Sequence, residues 1–361
     1  MTNTIAPPSA SGVVPKKGIF GSIGPAFITA ALVFGPGSIA TASAMGATFG
    51  YELLWVPVIA TILMLCFVNI GVRIGLSTKD SILGTITHRL TGVVAIIVGI
   101  GSFLVVTSFQ AGNSAGTGAA GQLLFGGDPR LFAIGFTIIG VLFVWIPKFY
   151  PALEKLMIVV ILIMLVAMIT TAIISNPDPA GIIGGLVPSI PEASVPLIVG
   201  LAATTFSVVG ALYQIQLVRE KGWAPTDYKI ARRDAVLGTL ILGLLSAIIM
   251  IAAAATLNPA GIAATSPAAL AQILAPIGSW AVVLFAIGLW ASAFSSMLGN
   301  STIGGTMLAG VFRIDRGGLS STPVKLCISF VIVLGGVVAA IGDVPLSGVL
   351  SFHRVGSVVL A

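Results

Sequence analysis

Long apolar stretches separated by short polar ones dominate this chain. A hydrocarbon core about 30 Å thick needs about 20 apolar residues of helix. Measured against that length, nine runs are candidate spans, at roughly 22–48, 53–75, 93–125, 131–147, 152–175, 195–222, 235–257, 277–311 and 324–342. The third and eighth exceed what a bilayer requires, so part of each is expected to project or bend. The pattern predicts an all-α membrane protein with about nine transmembrane helices.

Composition removes the soluble alternative. Only 8% of the 361 residues are charged and 57% are hydrophobic, whereas soluble domains carry roughly 25% charged residues. The net charge of +6 could point to nucleic acid, but the placement of the charges points to lipid. Put the N-terminus in the cytoplasm and let each run cross once. Every Lys and Arg then falls on the inner side except Arg130 and Arg354, and the outer segments 176–194 and 258–276 contain neither residue type. The positive-inside rule therefore supports both the count and the orientation in a cell membrane, with no nucleic-acid partner.

The eleven acids, among them Glu52, Asp80, Asp234 and Asp315, all sit in loops or near the ends of runs. Intramembrane carboxylates usually mark ion or proton paths, and no run carries one at its middle. Cys66 and Cys327 lie apart in apolar runs and suggest neither a disulfide nor a metal site. His88 and His353 have no nucleophile nearby, so no enzyme and no cofactor is expected. Residues 1–21 read as a disordered cytoplasmic tail. Residues 22–175 read as a first five-helix repeat, 176–194 as an outer loop and 195–342 as a second repeat. The end, 343–361, is too short and too charged for a tenth span.

Two runs are interrupted. The first contains Gly35-Pro36-Gly37-Ser38 at mid-membrane. Proline there removes a helix hydrogen bond, and glycine permits unusual backbone angles. Ser38 is the expected cap of the resumed helix. The sixth run holds Thr204, Thr205 and Ser207, then Gly210, Tyr213 and Gln214. Interruptions at matching positions of two halves point to a binding site between inverted repeats. Gln110 and Asn113 share a polar face of the third run. Ser292, Ser295, Ser296 and Asn300 form a similar stripe on the eighth, read as helix packing.

These segments resemble the NRAMP (natural resistance-associated macrophage protein) family of proton-coupled divalent-metal transporters, which have the LeuT-type inverted-repeat fold. The similarity runs from Gly24 to about Gly342. Gly35-Pro36-Gly37-Ser38 stands at the family's Asp-Pro-Gly-Asn, and Phe49-Gly50-Tyr51-Glu52-Leu53-Leu54-Trp55 resembles the segment that follows it. Leu153-Glu154-Lys155, Gly185-Leu186-Val187-Pro188-Ser189-Ile190-Pro191 and Leu284 to Ser292 match further segments in order. The family ligates its metal with that Asp and Asn, and with Ala and Met of an Ala-x-x-Met-Pro-His stretch in the sixth helix. Aligning Leu212-Tyr213 places Thr205 at the Ala, Val208 at the Met and Gly210 at the His. The family's acidic motif of the third helix becomes Gln110-Ala111-Gly112-Asn113. Every charged or soft ligand is replaced.

The resemblance implies a secondary transporter working by alternating access. Its substrate-binding positions are Gly35, Pro36, Gly37, Ser38, Thr205, Val208 and Gly210, with Gln110 and Asn113 nearby. The resemblance favours a divalent cation as passenger, with a proton or nothing as coupling ion. An exposed half-helix N-terminus favours instead a small neutral, zwitterionic or anionic organic solute such as an amino acid. The family pattern of at least ten helices leaves a third possibility, a truncated relic that transports nothing.

Overall fold

The structure, a computed structural model, describes residues 34–78, 80–146, 150–315 and 318–342. The expected tail at 1–21, the first part of the first run and the end at 343–361 lie outside the described residues. Among the described residues all regular structure is helical. The helices are α1 (Pro36–Phe49), α2 (Trp55–Ser77), α3 (Ile82–Arg89), α4 (Gly92–Phe125), α5 (Pro129–Trp145), α6 (Tyr150–Ile174) and α7 (Pro179–Gly184). They continue as α8 (Val195–Thr205), α9 (Val208–Glu220), α10 (Tyr228–Thr256), α11 (Pro267–Ala271), α12 (Ala281–Val311) and α13 (Thr322–Ile341).

Each hydrophobic run thus contains a long helix, apart from the sixth, which contains two. The third run is one unbroken helix of 34 residues, about 50 Å long at 1.5 Å per residue and longer than a bilayer core. Two boundaries differ from the hydropathy pattern. The seventh run becomes helical at Tyr228 rather than near 235. Its first turns are polar, but they dock on α2: Arg232 donates to Asn69 Oδ1 at 3.0 Å, and Arg73 donates to the Tyr228 hydroxyl at 3.3 Å. Asp234, buried near the start of α10, pairs with Lys221 at 2.6 Å. The eighth run starts at Ala281 rather than 277, because a short 3₁₀ helix, Gln272–Ile277, ends at Gly278 with φ of 117°. The small helices α3 and α7 are too short for a span-length criterion to find. Ser81 and Asp178 cap their first turns.

The helices pack as two groups. One comprises α1, α2, α8, α9 and α10, and the other α4, α5, α12 and α13. Helix α6 touches both, through α10 and α12. Small residues allow close approach within each group. A Cβ on Gly71 or Gly75 of α2 would lie 2.8 Å from the Ala211 or Ile215 carbonyl of α9. A Cβ on Gly305 of α12 would lie 2.5 to 2.6 Å from Cγ1, Cα and N of Ile328 in α13. The outward faces carry large apolar side chains such as Ile62, Ile97, Ile138, Val166 and Leu244. In water these would be a liability; against lipid tails they are at home.

Gly305→Ala should therefore destabilise the protein by about 1–3 kcal/mol, because backbone atoms of α13 cannot step aside. Gly135→Ala, where a Cβ meets nothing within 4 Å, should leave stability unchanged or raise it slightly. Thermal unfolding in detergent checks the pair; equal melting temperatures for the two variants would contradict the packing described.

Candidate functional site

In the sixth run, α8 closes at Thr205, and the Phe206 N–H still reaches the Ala202 carbonyl at 2.7 Å. Phe206 (φ −97°, ψ 85°) and Ser207 (φ −108°, ψ 115°) then leave helical geometry. The Ser207 hydroxyl accepts the Gly210 N–H at 3.1 Å and so caps α9. In the first run, Gly35 is extended (φ −95°, ψ 175°) and Pro36 opens α1, where its missing N–H and fixed φ do no harm. Gly35 is thus the N-cap residue, and the sequence expectation that Ser38 caps this helix is corrected. Ser38 lies in the first turn and donates its N–H to the Gly35 carbonyl at 3.1 Å. The Phe34 carbonyl just before the helix start accepts the Ser292 hydroxyl of α12 at 2.6 Å. That residue of the eighth-run polar stripe therefore satisfies main chain of the first run.

The break in the sixth run and the start of α1 face one cavity of about 40 Å³, with room for a few water-sized groups. Gly35, Gly37 and Ser38 line it from α1 and its cap, and Thr204, Ser207 and Gly210 from the α8–α9 break. On the opposite side stand Val106, Phe109 and Asn113 of α4, with Asn300 and Ile303 of α12. The cavity therefore lies between the two helix groups.

Five of the residues expected from sequence stand on this wall: Gly35, Gly37, Ser38, Asn113 and Gly210. Pro36 turns away and packs on α4, so close that a Cβ on Gly116 would lie 2.7 Å from its Cγ. Thr205 is buried, and its hydroxyl has no partner. Gln110 is wedged against Gly335 of α13, with its Oε1 accepting from Asn113 Nδ2 at 3.5 Å. Val208 opens α9. Val106, Phe109 and Ile303 carry no polar signal in the sequence, whereas Thr204, Ser207 and Asn300 stand out as polar positions without being expected at the binding site. For Asn300 the signal existed in its i+4 spacing from Ser296, but the stripe was read as helix packing.

The wall is polar without being charged. It offers the carboxamides of Asn113 and Asn300 and the hydroxyls of Ser38, Thr204 and Ser207, beside apolar Val106, Phe109 and Ile303. Among the described residues, no three His, Cys, Asp or Glu side chains gather as a metal cluster. The C-terminal end of α8 adds main-chain carbonyls and the negative end of a helix dipole. The N–H groups that would favour an anion are partly engaged already, Ser38 by Gly35 and Gly210 by Ser207.

Comparison with known proteins bears on the use of such a cavity. Residues 26–361 match the family model described as natural resistance-associated macrophage protein-like. A divalent metal cation transporter MntH of Mycobacterium tuberculosis is 24% identical over 301 residues, covering 81% of this chain and 70% of its own. The protein of the same name from Aeromonas hydrophila is 28% identical over 301 residues, with coverages of 81% and 74%. Among solved structures, a mutant of the Eremococcus coleocola manganese transporter superposes with a TM-score of 0.75 at 17% identity, over 94% of this chain and 76% of that one. A nucleobase-cation-symport-1 family transporter, closed with bromovinylhydantoin bound, gives 0.60 at 17% identity, over 92% and 74%. The fold is that of the LeuT-type transporters.

Ser292→Ala should leave the buried Phe34 carbonyl without its donor and lower stability by about 1–3 kcal/mol. Ser301→Ala, which removes a hydroxyl bonded only to its own helix at Leu298, should have a much smaller effect. Chemical or thermal unfolding of the two variants compares them; equal losses would show that Ser292 is not needed to hold the first-run break.

Proposed function

Because the chain belongs to the natural resistance-associated macrophage protein-like family, whose members are transporters and not enzymes, we propose that it carries a partly hydrated divalent metal cation across the membrane. The observation that carries this reading is the uncharged oxygen lining of the cavity between the α8–α9 break and the start of α1. A dehydrated divalent ion asks for about six oxygen ligands, usually with carboxylates among them. Burying its charge without compensation costs tens of kcal/mol. The cavity holds only a few water-sized groups, so the carboxamides and hydroxyls of its wall would share the ion's coordination with the few waters that fit and hold those waters by hydrogen bonds.

Size favours an ion over an organic solute. The cavity of about 40 Å³ is far below the roughly 300 Å³ at which pockets begin to enclose organic ligands. The engaged N–H groups at Ser38 and Gly210 also weaken the attraction for a carboxylate. Movement follows from the two helix groups: rocking of α1, α2, α8, α9 and α10 against α4, α5, α12 and α13 would open the cavity to each side in turn. The charge asymmetry supports a cytoplasmic N-terminus. With no ionisable side chain among the described residues of the wall, the ion moves down its own electrochemical gradient without a proton.

Proteoliposomes holding a metal-sensitive dye test the reading. Saturable uptake of manganese, magnesium or cadmium is expected, and entry of none of them would overturn it. A pH difference imposed across the vesicle should change the initial rate by less than about twofold, as expected when no ionisable side chain stands among the described residues that line the cavity. A steep acceleration by outside acid would contradict uncoupled transport.

A further inference from the structure

We propose that Asn113 of α4 supplies the oxygen ligand that Gly35 cannot, so that the cation is held from the α4–α12 side of the cavity. This rests on the transport reading above and names the donor for it. A Cβ on Gly35 would lie 3.0 Å from Asn113 Oδ1, 3.3 Å from Ser296 Oγ and 3.4 Å from Ser296 Cβ. The carboxamide therefore fills the space that a longer side chain at position 35 would enter. Its orientation is set from behind: Nδ2 donates to Gln110 Oε1 at 3.5 Å, and Gln110 is held against Gly335. That leaves Oδ1 toward Gly35.

Ser296 supplies an independent sign of a ligand. It is completely buried, and its hydroxyl has no hydrogen-bond partner. An unpaired buried hydroxyl costs about 1–3 kcal/mol, a penalty that a bound water molecule or ion would relieve. Asn113, only 3% exposed, brings a carbonyl oxygen to the same spot. A partly hydrated cation in the cavity would meet Asn113 directly, with its charge or a bound water on Oδ1. The Ser296 hydroxyl stands beside Gly35 off the cavity wall, where a water molecule would satisfy it. Carboxamide and hydroxyl oxygens suit cations that prefer oxygen, such as magnesium and manganese, over those that prefer sulfur or imidazole.

The proposal makes positions 35 and 113 interdependent, because a carboxylate at 35 would collide with Asn113 and repel its oxygen. Manganese uptake by the full chain in proteoliposomes tests this. Asn113→Ala should reduce uptake about tenfold, the equivalent of one lost ligand contact. Gly35→Asp alone should also lose uptake, whereas Gly35→Asp combined with Asn113→Ala should recover it to within about threefold of the unsubstituted rate. Asn113→Asp, which keeps the oxygen and adds charge, should lower the manganese KM; this variant decides the matter if Asn113→Ala does not fold. Unchanged uptake by Asn113→Ala, strictly additive effects in the double variant, or an unmoved KM in Asn113→Asp would each overturn the proposal while leaving transport intact. Absence of uptake by the unsubstituted protein would instead remove the transport reading itself.

Discussion

A helix interrupted within a membrane leaves main-chain carbonyl and amide groups where no lipid can hydrogen-bond them. Those groups must be satisfied inside the protein, and the centre of this chain is organised around that requirement. Ser207 accepts the Gly210 N–H at the start of α9. Gly35 accepts the Ser38 N–H at the start of α1, and Ser292 reaches across from α12 to the Phe34 carbonyl. The last of these bonds connects the two helix groups. It therefore positions the start of α1 against the α4–α12 wall, and the cavity takes its shape between them.

The same wall explains why small side chains cluster around the start of α1. Pro36 can open α1 only because Gly116 gives it room on α4. Gly35 leaves the space that the Asn113 carboxamide and the Ser296 hydroxyl approach. Within each group, glycines such as Gly71, Gly75 and Gly305 bring backbones close enough that neighbouring helices pack as single bodies. Contacts across the cavity are sparser than those within either group. A rigid-body rearrangement would therefore disturb fewer interactions than a deformation of either group.

Much of this architecture was readable from sequence, and physics separates what was from what was not. The number and order of the runs follow from hydropathy averaged over some twenty residues, a local property that packing cannot override. Gly-Pro-Gly at 35–37 announces the helix start at Pro36 because proline and glycine act on the backbone directly. The start of α10 was hidden because its polar first turns are held by Asn69 and Arg73 of another helix. Gln110 and Asn113 shared a face on paper, yet three residues advance a helix by about 300°, leaving the side chains about 60° apart. One of them lodges under Gly335 while the other turns to Gly35. For Asn300, a polar stripe shows that a helix face is wet or hydrogen-bonded, not whether it meets a neighbour or a cavity.

A weakly binding, uncharged site is compatible with the work of a carrier. Transport requires release on the far side, and a carboxylate cage that fully replaced a divalent ion's water would hold it too tightly without a second event, such as protonation, to loosen it. A hydrated ion held by Asn113, Asn300 and nearby hydroxyls needs no such event. The negative end of α8 supplies a modest preference for positive charge, and the retained water keeps the desolvation cost low. Under the proposed transport reading, the glycine at position 35 and the lack of an ionisable side chain among the described residues of the wall go together: a site without a strong ligand to neutralise needs no proton to let the ion go.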